Sequence, residues 1–257
     1  MDLNLNNKKV LITGASKGIG LAVVESFLQE GAKTCSVSRG SPALFENEKK
    51  LQDIYGSENT YTFKCDCTNV ESLNTLKNEI QNKWNNLDIL IVNVGNGRSV
   101  ADALPSDEQW HDTWNSNFES ALQTARTFLP MLQKSQGVLV FVSSIAGIEA
   151  FGAPTDYSTA KAAIIALAKN MARKLAPTVR VNVVAPGNVY FEGGSWAEKM
   201  QKDKKRVDEI IKSTVPMNRF STPQEIANSV VFLCSDRASF ITGATLVIDG
   251  GQTVGLP

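Results

Sequence analysis

The chain has few residues of the kinds that would support several common classes of function. It contains a single histidine, His111, beside Trp110. A catalytic triad built on histidine is therefore not expected, and His111 is interpreted as a surface residue. The 26 basic and 26 acidic side chains balance, so no overall field would attract nucleic acid or an anionic membrane.

Long apolar segments are also missing. No apolar run approaches the roughly 18 residues that a membrane helix needs, and no basic segment followed by an apolar one opens the sequence. The four cysteines do not form the pattern of a disulfide framework. Cys65 and Cys67 occupy alternate positions of one predicted strand without histidine or cysteine partners nearby, so no metal site is expected. We expect a cytoplasmic protein that binds neither membrane nor nucleic acid.

What the chain does have is a regular alternation of short apolar runs with helical patterns. It is 257 residues long and 42% hydrophobic, enough to bury a sizeable core. Alternating strands and helices predict an α/β fold, a doubly wound parallel sheet with helices on both faces, in one domain over residues 1–257. The predicted strands are 8–12, 34–37, 61–66, 87–92, 138–142, 179–184 and 244–248, and the predicted helices are 21–30, most of 41–59, 72–83, 107–132 and 155–175.

A glycine-rich turn joins the first strand to the first helix. Its sequence is Thr13-Gly14-Ala15-Ser16-Lys17-Gly18-Ile19-Gly20. In this position glycines allow a tight turn and close backbone approach to a pyrophosphate. The amino end of the following helix offers unpaired N–H groups and a partial positive charge to phosphates. The turn therefore predicts a dinucleotide site.

The end of the second strand indicates which dinucleotide is bound. An acidic residue there would hold the ribose 2′-hydroxyl of NAD, but the chain has Ser38 and Arg39 instead, with Lys17 as a second cation in the glycine turn. A guanidinium can hold a 2′-phosphate through charge-assisted hydrogen bonds. The sequence therefore predicts NADP(H).

Tyr157 and Lys161 are four residues apart on a predicted helix that begins near Thr155 or Asp156, both good N-cap residues. An ammonium close to a phenol lowers the phenol pKa from about 10, so that the phenol can exchange a proton with an alcohol or carbonyl oxygen. Ser144 follows a buried strand, at the sheet edge where ligands bind in open α/β folds.

Asn117 lies within apolar helical spacing on the predicted 107–132 helix. Its amide is either a satisfied core group, or its backbone holds an ordered water.

These motifs together, in order and spacing, resemble the short-chain dehydrogenase/reductase family over nearly the whole chain. The matching pieces are the turn at 13–20, Asp66, Asn117, Ser144, Tyr157-x-x-x-Lys161 and Pro186-Gly187. The resemblance implies a Rossmann-type fold. It also implies that Tyr157 is the general acid/base, that Ser144 steadies the substrate oxygen, that Lys161 holds the nicotinamide ribose and lowers the Tyr157 pKa, and that Asn117 keeps a water-linked proton path in place.

The same resemblance implies a set of cofactor-binding residues and two departures from the family pattern. Val94 stands where the family usually has alanine, and Phe191 stands where it often has threonine. Anchoring of the nicotinamide is therefore assigned to backbone groups such as those of Val189. The implied cofactor-binding residues are Gly14, Ser16, Lys17, Gly18, Ile19, Gly20, Ser38, Arg39, Asp66, Cys67, Asn93, Val94, Gly95, Tyr157, Lys161, Pro186, Gly187 and Val189.

The predicted reaction is reversible hydride transfer between NADP(H) and a carbonyl/alcohol pair on a small molecule. The substrate stays open between a 3-oxoacyl thioester and a sugar or other polar metabolite, and a catalytically silent NADP(H) sensor is the non-enzymatic alternative. Residues 188–216 are predicted to form a substrate lid. Their basic run, 202–206, is interpreted as a solvated helix face rather than a site for an anionic substrate.

The resemblance also implies a homotetramer or homodimer. Its contacts would involve the long helices around Asn117 and Tyr157 and the C-terminal strand. The apolar C-terminal residues 253–257 would suit burial at such a contact.

Overall fold

The computed structural model of the chain describes residues 2–255, and its centre is one parallel sheet. Seven strands lie in the order β3-β2-β1-β4-β5-β6-β7, and every pair of neighbours is parallel. The predicted doubly wound parallel sheet is confirmed. The strands are β1 (Lys9–Thr13), β2 (Lys33–Ser38), β3 (Thr60–Lys64), β4 (Ile89–Val92), β5 (Val138–Val142), β6 (Arg180–Pro186) and β7 (Thr245–Ile248).

Helices cover both faces of the sheet because the central strands are apolar on both sides. On one face, Leu76, Phe128 and Ile164 belong to one buried cluster. On the other face, Phe27 and Val230 belong to a second buried cluster. The helices are α1 (Gly18–Gln29), α2 (Pro42–Tyr55), α3 (Val70–Trp84), α4 (Asp107–Trp114), α5 (Ser120–Ser135), α6 (Thr155–Leu175), α7 (Ser195–Lys202), α8 (Lys204–Thr214) and α9 (Pro223–Cys234).

Three local features differ from the sequence prediction. The predicted 107–132 helix is interrupted by a π-helical segment, Asn115–Glu119, that separates α4 from α5. Helix α9 was not predicted, although Thr222 and Glu225 form a reciprocal capping box with a proline in the first turn. Helix α6 begins at Thr155 as expected, but Pro154 occupies the N-cap position with extended backbone angles, so neither expected residue is the cap.

The order of the strands places a crevice between β1 and β4. The chain leaves β1 towards β2 on one side, and the strands from β4 onward continue on the other. Ligands of open α/β sheets bind at the carboxyl ends of the strands beside such a reversal. The glycine-rich turn after β1 and the β4–α4 loop (residues 93–106) both lie there. No helix in residues 2–255 combines the length and the apolar character needed to cross a membrane.

Candidate active site

The glycine-rich turn has the geometry of a phosphate-binding cradle. Gly14 and Gly18 have φ angles of +66° and +58°, a region that favours glycine. A Cβ built on Gly20 would lie 2.3 Å from the Gly14 carbonyl oxygen, so a side chain there would displace the turn. The first turn of α1 has no side-chain cap and no acidic residue. Its N–H groups therefore suit an anionic ligand, and the turn fits the pyrophosphate of a dinucleotide.

Asn93 joins the β4–α4 loop to the glycine-rich turn. Its backbone N–H donates to Thr13 Oγ1 over 3.0 Å, and its side-chain amide donates to the carbonyls of Thr13 and Gly14 over 3.2 and 3.1 Å. Val94, the departure from the family pattern, is partly buried and packs against the core on the α5 side. The loop and the turn are thus held together as two walls of one crevice.

Gly95, in the same loop, lies where Lys161 and Asn117 approach each other. A Cβ built on Gly95 would lie 2.8 Å from Lys161 Nζ and 2.9 Å from Asn117 Oδ1. Lys161 Nζ lies 5.6 Å from the centre of the Tyr157 ring and donates to the Val142 carbonyl over 3.3 Å. The close packing explains why the smallest residue occupies this position.

Ser144, which lies beyond the carboxyl end of β5, is the fourth candidate catalytic side chain. Its hydroxyl oxygen accepts a hydrogen bond from the Ala146 N–H over 3.1 Å, and its polar contact with the Tyr157 hydroxyl influences the tyrosine pKa. The fold therefore brings together the four side chains that the sequence placed far apart, namely Asn117, Ser144, Tyr157 and Lys161.

The electrostatics of Tyr157 and Lys161 differ from the sequence prediction. Burial raises the pKa of Tyr157 above its ordinary value, and the contact with Ser144 acts in the opposite direction. Burial also lowers the pKa of Lys161 to about 8. The Tyr157 pKa is therefore raised, not lowered as the sequence predicts, because desolvation of the phenolate outweighs the contact with Ser144.

The Asn117 side chain is fully paired within the protein. Its amide nitrogen donates to the carbonyls of Asn96 and Thr113 over 3.0 and 2.9 Å, and its oxygen accepts from the Asn96 N–H over 3.0 Å. This agrees with the first interpretation, a satisfied core amide. The π-helical segment that carries it is a feature often found at functional sites.

The residues after β2 and β3 lie on the other side of the glycine-rich turn. Arg39 is exposed and forms no ion pair within the described residues. Hydrogen bonds from Thr68 hold the pKa of Asp66 below its ordinary value, with a smaller effect from the charge of Arg39. Asp66 lies two residues beyond the end of β3 rather than within the strand. Cys65 and Cys67 are buried free thiols.

Lys17, expected beside Arg39 as a second cation, instead contacts the segment that follows β6. Its ammonium donates to the Gly193 carbonyl over 2.8 Å. A Cβ built on Gly18 would lie 2.7 Å from the Phe191 ring, so that ring packs directly on the glycine-rich turn. Pro186 is the last residue of β6, Gly187 follows it, and buried Val189 pairs with Ser221.

Other polar side chains near the site were not singled out from the sequence. Arg98, in the β4–α4 loop, forms an ion pair with Glu198 of α7. In the same loop, Ser99 donates to the buried carboxyl group of Asp156. His111, by contrast, is an exposed residue whose Nδ1 is hydrogen-bonded to the carbonyl of Asp107 on its own helix, as a surface residue would be.

Comparison with known proteins agrees with this geometry. The family model described as enoyl-(acyl carrier protein) reductase matches residues 14–253. The chain is 34% identical over 255 residues to the 3-oxoacyl-[acyl-carrier-protein] reductase of Vibrio harveyi, covering 97% of this chain and 99% of that one. To the corresponding reductase of Escherichia coli it is 32% identical over 252 residues, covering 97% and 99%.

Solved structures give the same result. L-sorbose reductase from Gluconobacter frateurii, complexed with NADPH and L-sorbose, superposes with a TM-score of 0.93 at 29% identity, covering 100% of both chains. The Cj0485 dehydrogenase superposes with a TM-score of 0.90 at 30% identity, covering 98% of this chain and 96% of that one. The chain therefore belongs to the short-chain dehydrogenase/reductase family of oxidoreductases, as its motifs predicted.

Proposed function

We propose that this chain catalyses reversible reduction of a carbonyl group to a secondary alcohol with NADP(H) as the hydride donor and acceptor. The observation that supports this most directly is the convergence of Tyr157, Lys161 and Asn117 on the β4–α4 loop beside a phosphate-binding turn. When bound, the nicotinamide supplies the hydride. The protein binds and orients the two partners and moves the proton.

The residues proposed to hold NADP(H) follow the carboxyl ends of the strands, where ligands of open α/β sheets bind. Backbone groups of Gly14, Ser16, Gly18, Ile19 and Gly20 would bind the pyrophosphate. Ser38 and Arg39 would bind the 2′-phosphate, and Lys17 would join them once its ammonium leaves the Gly193 carbonyl. Lys161 would hold the nicotinamide ribose, and backbone groups such as those of Val189 would anchor the nicotinamide. The remaining candidate cofactor-binding residues are Asp66, Cys67, Asn93, Val94, Gly95, Tyr157, Pro186 and Gly187.

The proton in this mechanism comes from Tyr157. A raised pKa keeps the phenol protonated near pH 7, the state that donates a proton to the oxygen of a carbonyl as it is reduced. Ser144, whose hydroxyl lies beside Tyr157, would steady that oxygen. Lys161, with a pKa of about 8, still carries its proton at pH 7 in most molecules and would bind the ribose hydroxyls. At neutral pH the Tyr157 phenol is thus in the protonation state that carbonyl reduction requires.

For the substrate we place 3-oxoacyl thioesters first, because the Vibrio harveyi and Escherichia coli relatives are reductases of that class. A sugar or another polar ketone is second, because the structurally similar Gluconobacter protein is an L-sorbose reductase. The basic run at 202–206 does not provide further support for a thioester substrate. Lys204 pairs with Asp208 and Asp203 caps α8, as expected of a solvated helix face.

The test is NADPH oxidation, followed by absorbance, against matched panels of 3-oxoacyl thioesters, keto-sugars and simple ketones. We expect turnover with at least one panel and a higher kcat/KM for thioesters. Preference for keto-sugars would select the second substrate class. Tight NADPH binding without turnover on any panel would instead support the silent sensor and contradict the proposed reaction.

Residues 188–216 are proposed to form the substrate lid within the single domain 1–257. Two contacts support this role: the bond from Lys17 to Gly193, and the ion pair of Arg98 with Glu198. Both join the segment to loops of the crevice, and both are exposed enough to break and re-form as a ligand enters. A cytoplasmic location is also proposed, supported by four free and buried cysteines.

A homo-oligomer, a dimer or tetramer, is proposed through the edge of the sheet. Strand β7 is the last strand of the sheet, and its Leu246 and Val247 are each 36% exposed. Val254 is also exposed, whereas Leu256 and Pro257, the rest of the predicted apolar end, lie outside the described residues. Exposed apolar strands at a sheet edge are commonly covered by a partner.

We expect Val247→Lys to convert the oligomer to a smaller species, because a buried ammonium at an apolar contact is strongly unfavourable. Light scattering after size exclusion measures the mass. Ile54→Lys, which places the same charge on an exposed residue of α2, is the control and should keep the parent mass. A monomeric parent protein, or an unchanged mass for Val247→Lys, would show that β7 does not form an oligomer interface.

A further inference from the structure

Asp156 is a fully buried acidic residue that the mechanism above does not use. It lies in the first turn of α6, directly before Tyr157. One carboxyl oxygen accepts from the Tyr157 N–H over 2.8 Å, and the other accepts from the Ser99 hydroxyl. No ion pair involves Asp156 within residues 2–255. Burying a carboxyl group without a cation is costly unless its hydrogen bonds are made, so these two contacts deserve a functional explanation.

The contact with Ser99 is one link in a larger polar group. The Gln109 amide donates to the Ser99 hydroxyl over 3.4 Å and to the Thr113 hydroxyl over 3.0 Å. Gln109 and Thr113 belong to α4, whereas Ser99 belongs to the β4–α4 loop. The group therefore connects three parts of the chain, namely that loop, α4 and the first turn of α6. Chains of hydrogen bonds of this kind make a local arrangement more rigid.

The loop that Ser99 anchors passes beside the Tyr157 ring. A Cβ built on Gly97 would lie 3.7 Å from two atoms of that ring. On one side of Gly97, Asn96 is bonded through its backbone to the Asn117 side chain. On the other side, Ser99 is bonded to Asp156. The backbone next to the tyrosine is thus fixed at both ends, by a residue of the π-helical segment and by a residue of α6.

We propose that Asp156 is a positioning residue, which sets both the first turn of α6 and the wall of the substrate site formed by residues 96–99. It acts through Tyr157 and the loop and touches neither substrate nor cofactor itself. An acidic residue that only favoured the helix amino end would need neither burial nor Ser99. Positioning through Ser99 predicts that a change of Ser99 alone lowers activity, whereas a simple effect of an acidic residue at the helix amino end predicts no change.

The inference rests on the proposed carbonyl reduction, and its test uses the full chain with the best substrate of the panels. We expect Asp156→Ala to lower kcat/KM about tenfold, since small displacements of reacting groups can cost up to about 100-fold. Ser99→Ala should also lower kcat/KM. The double variant should be no worse than Asp156→Ala, because both changes remove one shared contact.

Two readouts separate positioning from general loss of structure. The NADPH dissociation constant, measured by fluorescence, should stay within about twofold of the parent value, since the cofactor crevice is held by other residues. Asp156→Asn should restore most of the kcat/KM, because an amide can accept from the Tyr157 N–H and donate to the Ser99 hydroxyl. Thr159→Ala is the control near the same end of the helix, because the Thr159 hydroxyl donates to the backbone carbonyls of Thr155 and Asp156 on its own helix.

Parent-like kcat/KM in Ser99→Ala, or multiplicative effects in the double variant, would overturn the assignment. Should Asp156→Ala fail to fold, Ser99→Ala and Asp156→Asn still decide the matter, because both keep a side-chain oxygen at position 156 that accepts from the Tyr157 N–H. A parent chain without carbonyl reductase activity would instead contradict the proposed function, so the two failures are distinguishable.

Discussion

Replacing Tyr157 by phenylalanine is expected to lower kcat for carbonyl reduction by about 100- to 10,000-fold, the usual contribution of a positioned general acid. The change removes one hydroxyl and keeps the ring that lies beside Gly97 and Lys161. The packing of α6 should therefore survive, and only proton donation should be lost. Steady-state kinetics with saturating NADPH measure kcat, and fluorescence measures NADPH affinity, which we expect to change by no more than about threefold.

Tyr190→Phe is the matched control for this experiment. Tyr190 lies in the proposed lid, is 38% exposed and packs against Phe220. The substitution removes the same hydroxyl group from a residue that does not belong to the proposed proton path. The kcat of Tyr190→Phe should therefore remain close to that of the parent. Substantial turnover by Tyr157→Phe would mean that another group supplies the proton, and the acid/base role would have to be reassigned.

The fold could be predicted from the sequence because its strands carry strong local signals. The run at 138–142 is apolar throughout and lies inside the sheet between β4 and β6, where both faces are covered and alternation is not required. The glycine-rich turn required positive φ angles at Gly14 and Gly18, which few other residues adopt. Such features depend on neighbours within a few residues, so the sequence alone reveals them.

The missed elements depended on contacts between distant parts of the chain or on weak local signals. The π-helical segment at Asn115–Glu119 differs from an α-helix by one residue, and its sequence has no glycine or proline to mark it. Helix α9 packs against α1, and the capping box of Thr222 and Glu225 is the local signal that marks its start. The boundaries of long helices are therefore less certain than their existence.

The residues of the candidate site likewise fall into those that local spacing pairs and those that meet only in the folded chain. Tyr157 and Lys161 are neighbours on one helix and could be paired from their spacing, whereas Ser99 and Asp156 lie 57 residues apart and meet only in the fold. Electrostatics were the weakest part of the prediction. The spacing of Tyr157 and Lys161 indicates an ammonium near a phenol but not how deeply both are buried, and burial determines the direction of both pKa shifts.

Replacing Arg39 by alanine is expected to weaken NADPH binding by about 10- to 100-fold, the effect of losing charge-assisted hydrogen bonds. NADH carries no 2′-phosphate, so its affinity should change by no more than about twofold. The structure supports this difference because Arg39 is exposed, follows β2 and forms no ion pair within the described residues. Its guanidinium is therefore available to a phosphate.

Fluorescence titration of both dinucleotides into both proteins measures the effect, and repeating it at higher salt should narrow the preference for NADPH because exposed charges are screened. Arg173→Ala is the matched control: it removes the same charge from an exposed position near the far end of α6. That end lies away from Tyr157 and the crevice, so both affinities should remain at parent values. If Arg39→Ala keeps the full preference for NADPH, or if the parent chain prefers NADH, recognition of the 2′-phosphate must be assigned to other residues, with Lys17 and Ser38 the next to test.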